Sequence, residues 1–258
     1  MSTSTIGRKI VSEQEWLAAH REHLEKEKQF TRLRDELSRQ RRELPWVKVE
    51  KEYVFDGPNG KETLAELFEG RSQLILYHFM FHPDGEEGCP GCSFTVDHVD
   101  GANQHLPQRD ITYVAVARAP YAKLAQFQKR MGWRFKMVSS YGSDFNWDYH
   151  VSFTPEQVAA GCKDYNFGTG FRYPGQEMPG LDVFYKDESG DIYRTFGVYA
   201  RGLDILLNTY NYIDLTPLGR HEEDLPFPMA WVRHHDKYPQ PQHAAAANGC
   251  CAHEKSVV

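Results

Sequence analysis

Cys89 and Cys92 stand three positions apart in "EEGCPGCSF", residues 86–94. A thiol pair at that spacing supports three kinds of chemistry. It can cycle between dithiol and disulfide, supply two soft ligands to a metal ion, or pack as two small core side chains. Five cysteines are an odd number and too few to staple a chain of 258 residues. In a reducing compartment a Cys-x-x-Cys serves catalysis or metal binding more often than structure.

The elements around the pair decide what it can do. "QLILYHFMF" (73–81) is apolar on both of its alternating faces, the pattern of a strand buried in the middle of a sheet. The loop "HPDGEEG" follows, and Cys89 then opens a helix expected to run to about residue 106, with Val96, Val99, Ala102 and Leu106 as its core stripe. Pro90 suits the first helical turn, where its missing N–H costs nothing. The unpaired N–H groups at that helix start favour a thiolate. Cys89 is therefore expected to attack, and Cys92, one turn deeper, to resolve the mixed disulfide. Asp84, Glu86 and Glu87 crowd the same loop and are expected to raise the Cys89 pKa. His82, at the strand's end, is placed to assist Cys89 as base or as ligand.

"ITYVAVARA" (111–119) reads as a second buried strand, "YAKLAQFQKRMG" as a helix and "RFKMVSS" as a third strand. "LDVFYKDESGDIYRTFGVY" reads as a hairpin turning at Ser189-Gly190, and "RGLDILLNTYNYIDL" as a final amphipathic helix. Alternation of strand and helix argues for an α/β fold with parallel strands, closed by the hairpin. Upstream, Ser12 and Glu15 form a capping-box pattern before a charged helix carrying Trp16, His20, Leu24, Leu33 and Leu37. Its apolar stripe is expected to pack on the domain or on a second subunit, giving a homodimer through this helix. "WVKVEKEYVF" alternates like a single strand, and "ETLAELFEG" reads as a short helix closed by Gly70.

Composition excludes several classes. The net charge of −6, with positive charge concentrated only in the Lys/Arg-rich stretch 21–42, argues against nucleic acid. No apolar run approaches the ~18 residues that span a bilayer, and "MSTSTIGRKI" lacks a secretory pattern, so a cytoplasmic protein with no membrane partner is expected.

Twelve histidines open a second reading. His78, His82, His98, His105 and His150 flank the cysteine region, and with Cys89 and Cys92 they could hold copper or zinc, His82 being the best placed and Cys250 and Cys251 further candidate ligands. His78, in mid-strand, reads as a hydrogen-bonded core residue, and on an ideal helix His98 points away from Cys92. The aromatic stretch "SSYGSDFNWDYHVSF" either lines a pocket over the cysteines or folds onto its own core. Arg118 and Arg201 are candidates for a substrate anion or for structural ion pairs. Beyond Pro239 and Pro241 the tail "HAAAANGCCAHEKSVV" carries Cys250 and Cys251, which could shuttle electrons or a soft metal to the first pair.

"GKETLAELFEGRSQLILYHFMF…GCPGCS" resembles the opening of a thioredoxin/peroxiredoxin-type domain, and the following strand, helix and "FKMVSS" keep that order. The motifs "LYHFMF", "CPGCSF", "RMGWRFKMVSSYGSDFNWDY", "YARGLD", "TYNYIDLTPLGR" and "WVRHHDKY" closely resemble a bacterial thioredoxin-like family of unknown function. The resemblance implies a three-layer thioredoxin-like fold with a central mixed sheet. The expected organisation is an N-terminal helical arm (1–44), the thioredoxin-like domain (45–238) and a mobile cysteine-containing tail (239–258). It further implies thiol–disulfide chemistry with no resident cofactor, acting on an unidentified thiol or disulfide partner. In such folds a cis-proline precedes the strand facing the cysteines, and Pro179 matches that position and would shape the substrate groove. Peroxiredoxins carry a Thr three positions before the attacking Cys; Glu86 stands there, which speaks against peroxidase activity.

Overall fold

The structure is a computed structural model that describes residues 7–170 and 173–239. Eight strands form one mixed sheet: β1 (Val47–Lys48), β2 (Val54–Gly57), β3 (Gly60–Thr63), β4 (Gln73–His78), β5 (Ile111–Ala117), β6 (Lys136–Ser139), β7 (Gly180–Lys186) and β8 (Ile192–Tyr199), ordered β1-β8-β7-β4-β5-β6-β2-β3. The four helices that matter here are α1 (Glu13–Arg41), α2 (Pro90–Val96), α3 (Val99–Ala102) and α4 (Tyr121–Met131).

Burial explains the middle of the sheet. In β4, Leu74, Leu76, Tyr77 and His78 are all buried, and Val114 to Ala117 of β5 are fully so. Such strands need cover on both faces, which is where parallel strands joined by helices belong. β4 runs parallel to β5, and β5 to β6, while β7 and β8 return antiparallel as the hairpin. The order β5-β4-β7-β8, with the cysteine helix leaving the carboxyl end of β4, makes the fold thioredoxin-like. Two large apolar clusters pack on its opposite faces. Leu76, Val116, Phe145, Tyr149 and Phe184 belong to one; Tyr77, Phe79, Cys92, Phe127 and Trp133 belong to the other.

"WVKVEKEYVF" is not one strand. β1 pairs with β8 at one edge of the sheet, and β2 pairs with β6 near the other. Residues 48–54 span roughly 20 Å at most, whereas six flat steps between strands cover roughly 29 Å. The sheet must therefore curl to bring its edges together. The expected long helix after Cys89 is also broken. α2 ends at Val96, α3 is a single turn, and a 3-10 turn covers Leu106–Arg109. Asp97 and Asp100 there turn their carboxylates to the Trp133 indole and to the Arg134 and Phe135 N–H groups, which ties the breaks to β6's approach. The final helix is likewise divided, into a 3-10 segment (Ala200–Leu206) and a short helix (Asn208–Ile213).

Ser12 and Glu15 form the capping box at the start of α1, yet none of the helix's residues is buried. The arm does not pack on the described domain as a stripe. No helix among the described residues is long and apolar enough to cross a membrane.

Candidate active site

Cys89 is the N-cap of α2, with extended backbone, and its carbonyl accepts the first helical hydrogen bond from Ser93 N at 2.9 Å. Pro90 occupies the first turn. The loop that delivers Cys89 is held close to the strand it left: Cys89 N–H donates to Met80 O at 2.9 Å, and Met80 N–H donates to Cys92 Sγ at 3.4 Å. Gly88 allows this approach, since a Cβ there would fall 2.3 Å from the Phe79 ring.

The two thiols, both reduced, sit in different surroundings. Cys89 is half-buried and Cys92 is 2 % exposed. A hydrogen bond from Cys92 brings the Cys89 thiol down to about 7; burial opposes this, and the N–H groups of Cys92 and Gly91 add to it. Burial pushes Cys92 well up, reinforced by its bond to Cys89 and relieved in part by the Tyr77 hydroxyl and Met80 N–H. The geometry thus separates a thiol that ionises near neutrality from one that keeps its proton.

Tyr77, invisible as a site residue in the sequence, comes from the face of β4 that carries Cys92. It is 1 % exposed and its hydroxyl is hydrogen-bonded to Cys92 and Thr95. Thr95 Oγ1 also lies 3.0 Å from Gly91 O, to which it can donate, and the phenol proton is the one left for the Cys92 sulfur. A buried tyrosine needs such a partner.

The acids of the loop do not raise the Cys89 pKa as the sequence suggested, because they are turned outward or paired. Glu87 meets Arg130 at 2.5 Å and Lys237 at 2.6 Å, and its carboxyl is lowered by them, Lys237 foremost. Glu86 lies 3.7 Å from Lys123, and Asp84 is solvent-exposed beside His82. Arg130 also binds Asp236, and the buried His234 ring reaches Gly88 O at 2.8 Å. Residues 234–237 thus clasp the cysteine loop from outside, while Met229 reaches within 3.4 Å of the Cβ position of Gly91. None of these distant residues announced itself in the sequence as a partner of the cysteine loop, because the pairings of Glu87 and Gly88 cross from 43 to 150 residues of chain.

His82 Nδ1 accepts from the Asp84 N–H at 3.2 Å, so its hydrogen bond stays within its own loop. The Met178–Pro179 bond is trans, contrary to the expected cis-proline. Met178 N–H is bonded to Val151 O, and Glu177 bridges Ser152, so the chain enters β7 extended and the intrinsic preference of X–Pro for trans prevails. Pro179 O accepts from the Tyr165 hydroxyl at 2.6 Å, and the register of Gly180 with His78 puts Pro179 beside the carboxyl end of β4.

His78 is the core histidine the sequence indicated, bonded to Asp182 Oδ2 at 2.8 Å. Asp182, 0 % exposed, also accepts from Arg194 Nε at 2.6 Å and from the Tyr199 hydroxyl. This network lies on the sheet face opposite Cys92. The aromatic stretch packs there too: Phe145 and Tyr149 contact Tyr53, Phe55 and His78, so they do not roof the cysteines. Arg118 pairs with buried Glu177 at 2.9 Å under the Trp147 ring, and Arg201 is exposed beside Asp204. His98 binds Thr209. Among the described residues, no group of three or more His, Cys, Asp or Glu side chains is arranged to hold a metal ion. Cys250 and Cys251 lie outside the described residues.

A family model described as "Bacterial protein of unknown function (DUF899)" matches residues 6–238. No curated protein matches the sequence. Solved structures similar to this chain include the peroxidoxin BcpB from Mycobacterium tuberculosis, at 13 % identity and a TM-score of 0.43, covering 65 % of this chain and 96 % of that one. A PrxQ mutant from Xylella fastidiosa follows, at 13 % identity and a TM-score of 0.40, covering 62 % and 88 %. A putative protein disulfide isomerase from Bacteroides thetaiotaomicron matches at 15 % identity and a TM-score of 0.36, covering 69 % and 97 %. Similarity at this level bears on neither activity nor substrate.

Proposed function

The chain belongs to the family of bacterial proteins of unknown function DUF899, and from that premise we propose that it is a thiol–disulfide oxidoreductase working through Cys89 and Cys92. The observation that carries this reading is the unequal pair: a half-buried thiol brought down to about 7, hydrogen-bonded by a buried thiol held well up. The Cys89 thiolate attacks one sulfur of a substrate disulfide R–S–S–R′. A Cys89–S–S–R bond forms, and R′–S⁻ leaves and takes a proton from solvent. Cys92 then loses its proton and attacks Cys89, expelling R–S⁻. The substrate gains two electrons, and the protein ends with a Cys89–Cys92 disulfide that a dithiol donor must reduce.

The second step is the harder one in this site, because Cys92 must ionise where burial opposes it. Met80 N–H and the Tyr77 hydroxyl face its sulfur and supply the stabilisation that water cannot. Pro179, at the carboxyl end of β4, borders the groove in which R lies. His82 stands in the approach loop rather than in a bond to the thiol. Glu86, exposed at the position where a peroxidase places its hydroxyl donor, supports disulfide rather than peroxide as the oxidant.

The test is turnover of a model aromatic disulfide with a dithiol donor. Cys89→Ser is expected to abolish it. Cys92→Ser is expected to stop after one covalent adduct per chain, visible by mass spectrometry. Full turnover in Cys89→Ser would overturn the proposal.

A further inference from the structure

α1 is 29 residues long, about 43 Å, and not one of its residues is buried. Helices in water draw most of their stability from packing an apolar face rather than from propensity. Yet Trp16 is 51 % exposed, Phe30 66 % and Leu33 56 %, with Leu17, Leu24 and Leu37 also in the open. Intrahelical pairs such as Glu25–Lys28 and Glu36–Arg39 add only a few tenths of a kcal/mol each. Something outside the described chain has to cover this surface.

The charges say what. Residues 13–27 hold five acids (Glu13, Glu15, Glu22, Glu25, Glu27) against two bases, and residues 28–41 hold five bases (Lys28, Arg32, Arg34, Arg39, Arg41) against two acids. A parallel pair would set like halves together. An antiparallel pair sets each acidic half along a basic one, the arrangement that selects orientation in paired helices.

We propose that α1 pairs antiparallel with α1 of a second copy of this chain, about a two-fold axis between Lys26 and Glu27. Trp16, His23, Phe30 and Leu37 recur every seven residues and so share one face of the helix. That axis brings Trp16 level with the partner subunit's Leu37 and His23 level with the partner subunit's Phe30. Glu13, Glu15 and Glu22 come within one residue of the level of Arg41, Arg39 and Arg32 across the pair. The contact is isologous, so each favourable pairing occurs twice. The same axis carries Ile10, 76 % exposed, toward the far end of the other arm. There Leu44, Val47, Phe167 and Phe196 line an apolar hollow of about 360 Å³. The pairing thus accounts for the exposed apolar residues on the Trp16–Phe30–Leu37 face of the helix, and for those before and after it.

Sedimentation equilibrium of the full chain tests this. The wild type is expected to be a dimer at micromolar concentration, weakening as salt rises. Arg32→Glu, Arg39→Glu and Arg41→Glu together should raise the dimer Kd about tenfold or more. Adding Glu13→Arg, Glu15→Arg and Glu22→Arg to the same chain should restore it. A wild type that stays monomeric at ~100 μM would overturn the pairing by mass action, and so would a swapped chain that fails to recover. Circular dichroism identifies any variant that has merely lost its helix, and a Gln14 spin label supplies a second readout. In the antiparallel pair the two labels sit about 38 Å apart along the axis, and in a parallel pair side by side. Disulfide turnover does not depend on this pairing, so the two proposals fail separately.

Discussion

Removing the Cys92 sulfhydryl should raise the pKa of Cys89, because its hydrogen bond is the largest cause that brings that thiol down to about 7. A thiol at 7 is half ionised at pH 7, whereas one near 9 is about 1 % ionised. The fiftyfold gain in thiolate is offset by roughly tenfold lower nucleophilicity, so a net advantage of about fivefold remains. In Cys92→Ala only the N–H groups of residues 91 and 92 are left to oppose burial. The Cys89 midpoint is then expected to rise by one to two pH units, roughly 1.4–2.7 kcal/mol. Cys92→Ser keeps an O–H donor and should fall between alanine and wild type. Thiolate absorbance at 240 nm, with Cys89→Ser subtracted as background, follows the midpoint directly. Alkylation by iodoacetamide should rise through pH 7 in the wild type and only above pH 8 in the alanine variant. Equal midpoints in wild type, serine and alanine would refute the reasoning, and so would a wild-type midpoint above 8.5.

Tyr77→Phe removes a donor from Cys92 and leaves Cys89 alone, so alkylation of Cys89 should keep its rate while resolution slows about tenfold or more; stopped reactions analysed by mass spectrometry should contain more Cys89 adduct. Arg194→Met leaves the fully buried Asp182 short of its strongest partner and is expected to cost about 3–5 kcal/mol of stability, read by urea unfolding. Burial pushes Glu177 up to about 7 despite its pair with Arg118. The folded chain therefore binds a proton there that the unfolded chain has already lost above pH 4.5. That contribution is present in full below about 4.5 and is lost as pH rises to about 7, roughly 3 kcal/mol in all. Glu177→Gln should flatten this part of the stability–pH curve, and an unchanged slope between pH 5 and 7 would contradict it.

The sequence made β4 and β5 legible, since each is an apolar run buried along most of its length, and the β7–β8 hairpin legible through its turn at Ser189-Gly190. It placed Cys89 at a helix start because a doubly apolar strand, an acidic loop and Pro90 leave little else there. Reading failed where the outcome depends on partners far along the chain. "WVKVEKEYVF" alternates like one strand, and only the curl of the sheet sends its halves to opposite edges. The acids of the cysteine loop look hostile to a thiolate until Arg130 and Lys237, from distant elements, take up Glu87. Tyr77 was read as one more apolar face residue; the available signal was that a phenol inside a doubly buried strand must satisfy its hydroxyl. Pro179 matched a position in related folds, but the extended run from Glu177 into β7 has no need of a cis bond.

The central claim is that Cys89 and Cys92 form one reversible two-electron couple. Equilibrating metal-free protein in glutathione buffers of graded potential, then counting free thiols and mapping disulfides by mass spectrometry, tests it most directly. The account predicts a single two-electron transition in which the Cys89–Cys92 disulfide forms, absent in Cys89→Ser and in Cys92→Ser. Two thiols that stay reduced across the whole series would contradict it, as would stoichiometric copper or zinc retained by the pair after purification.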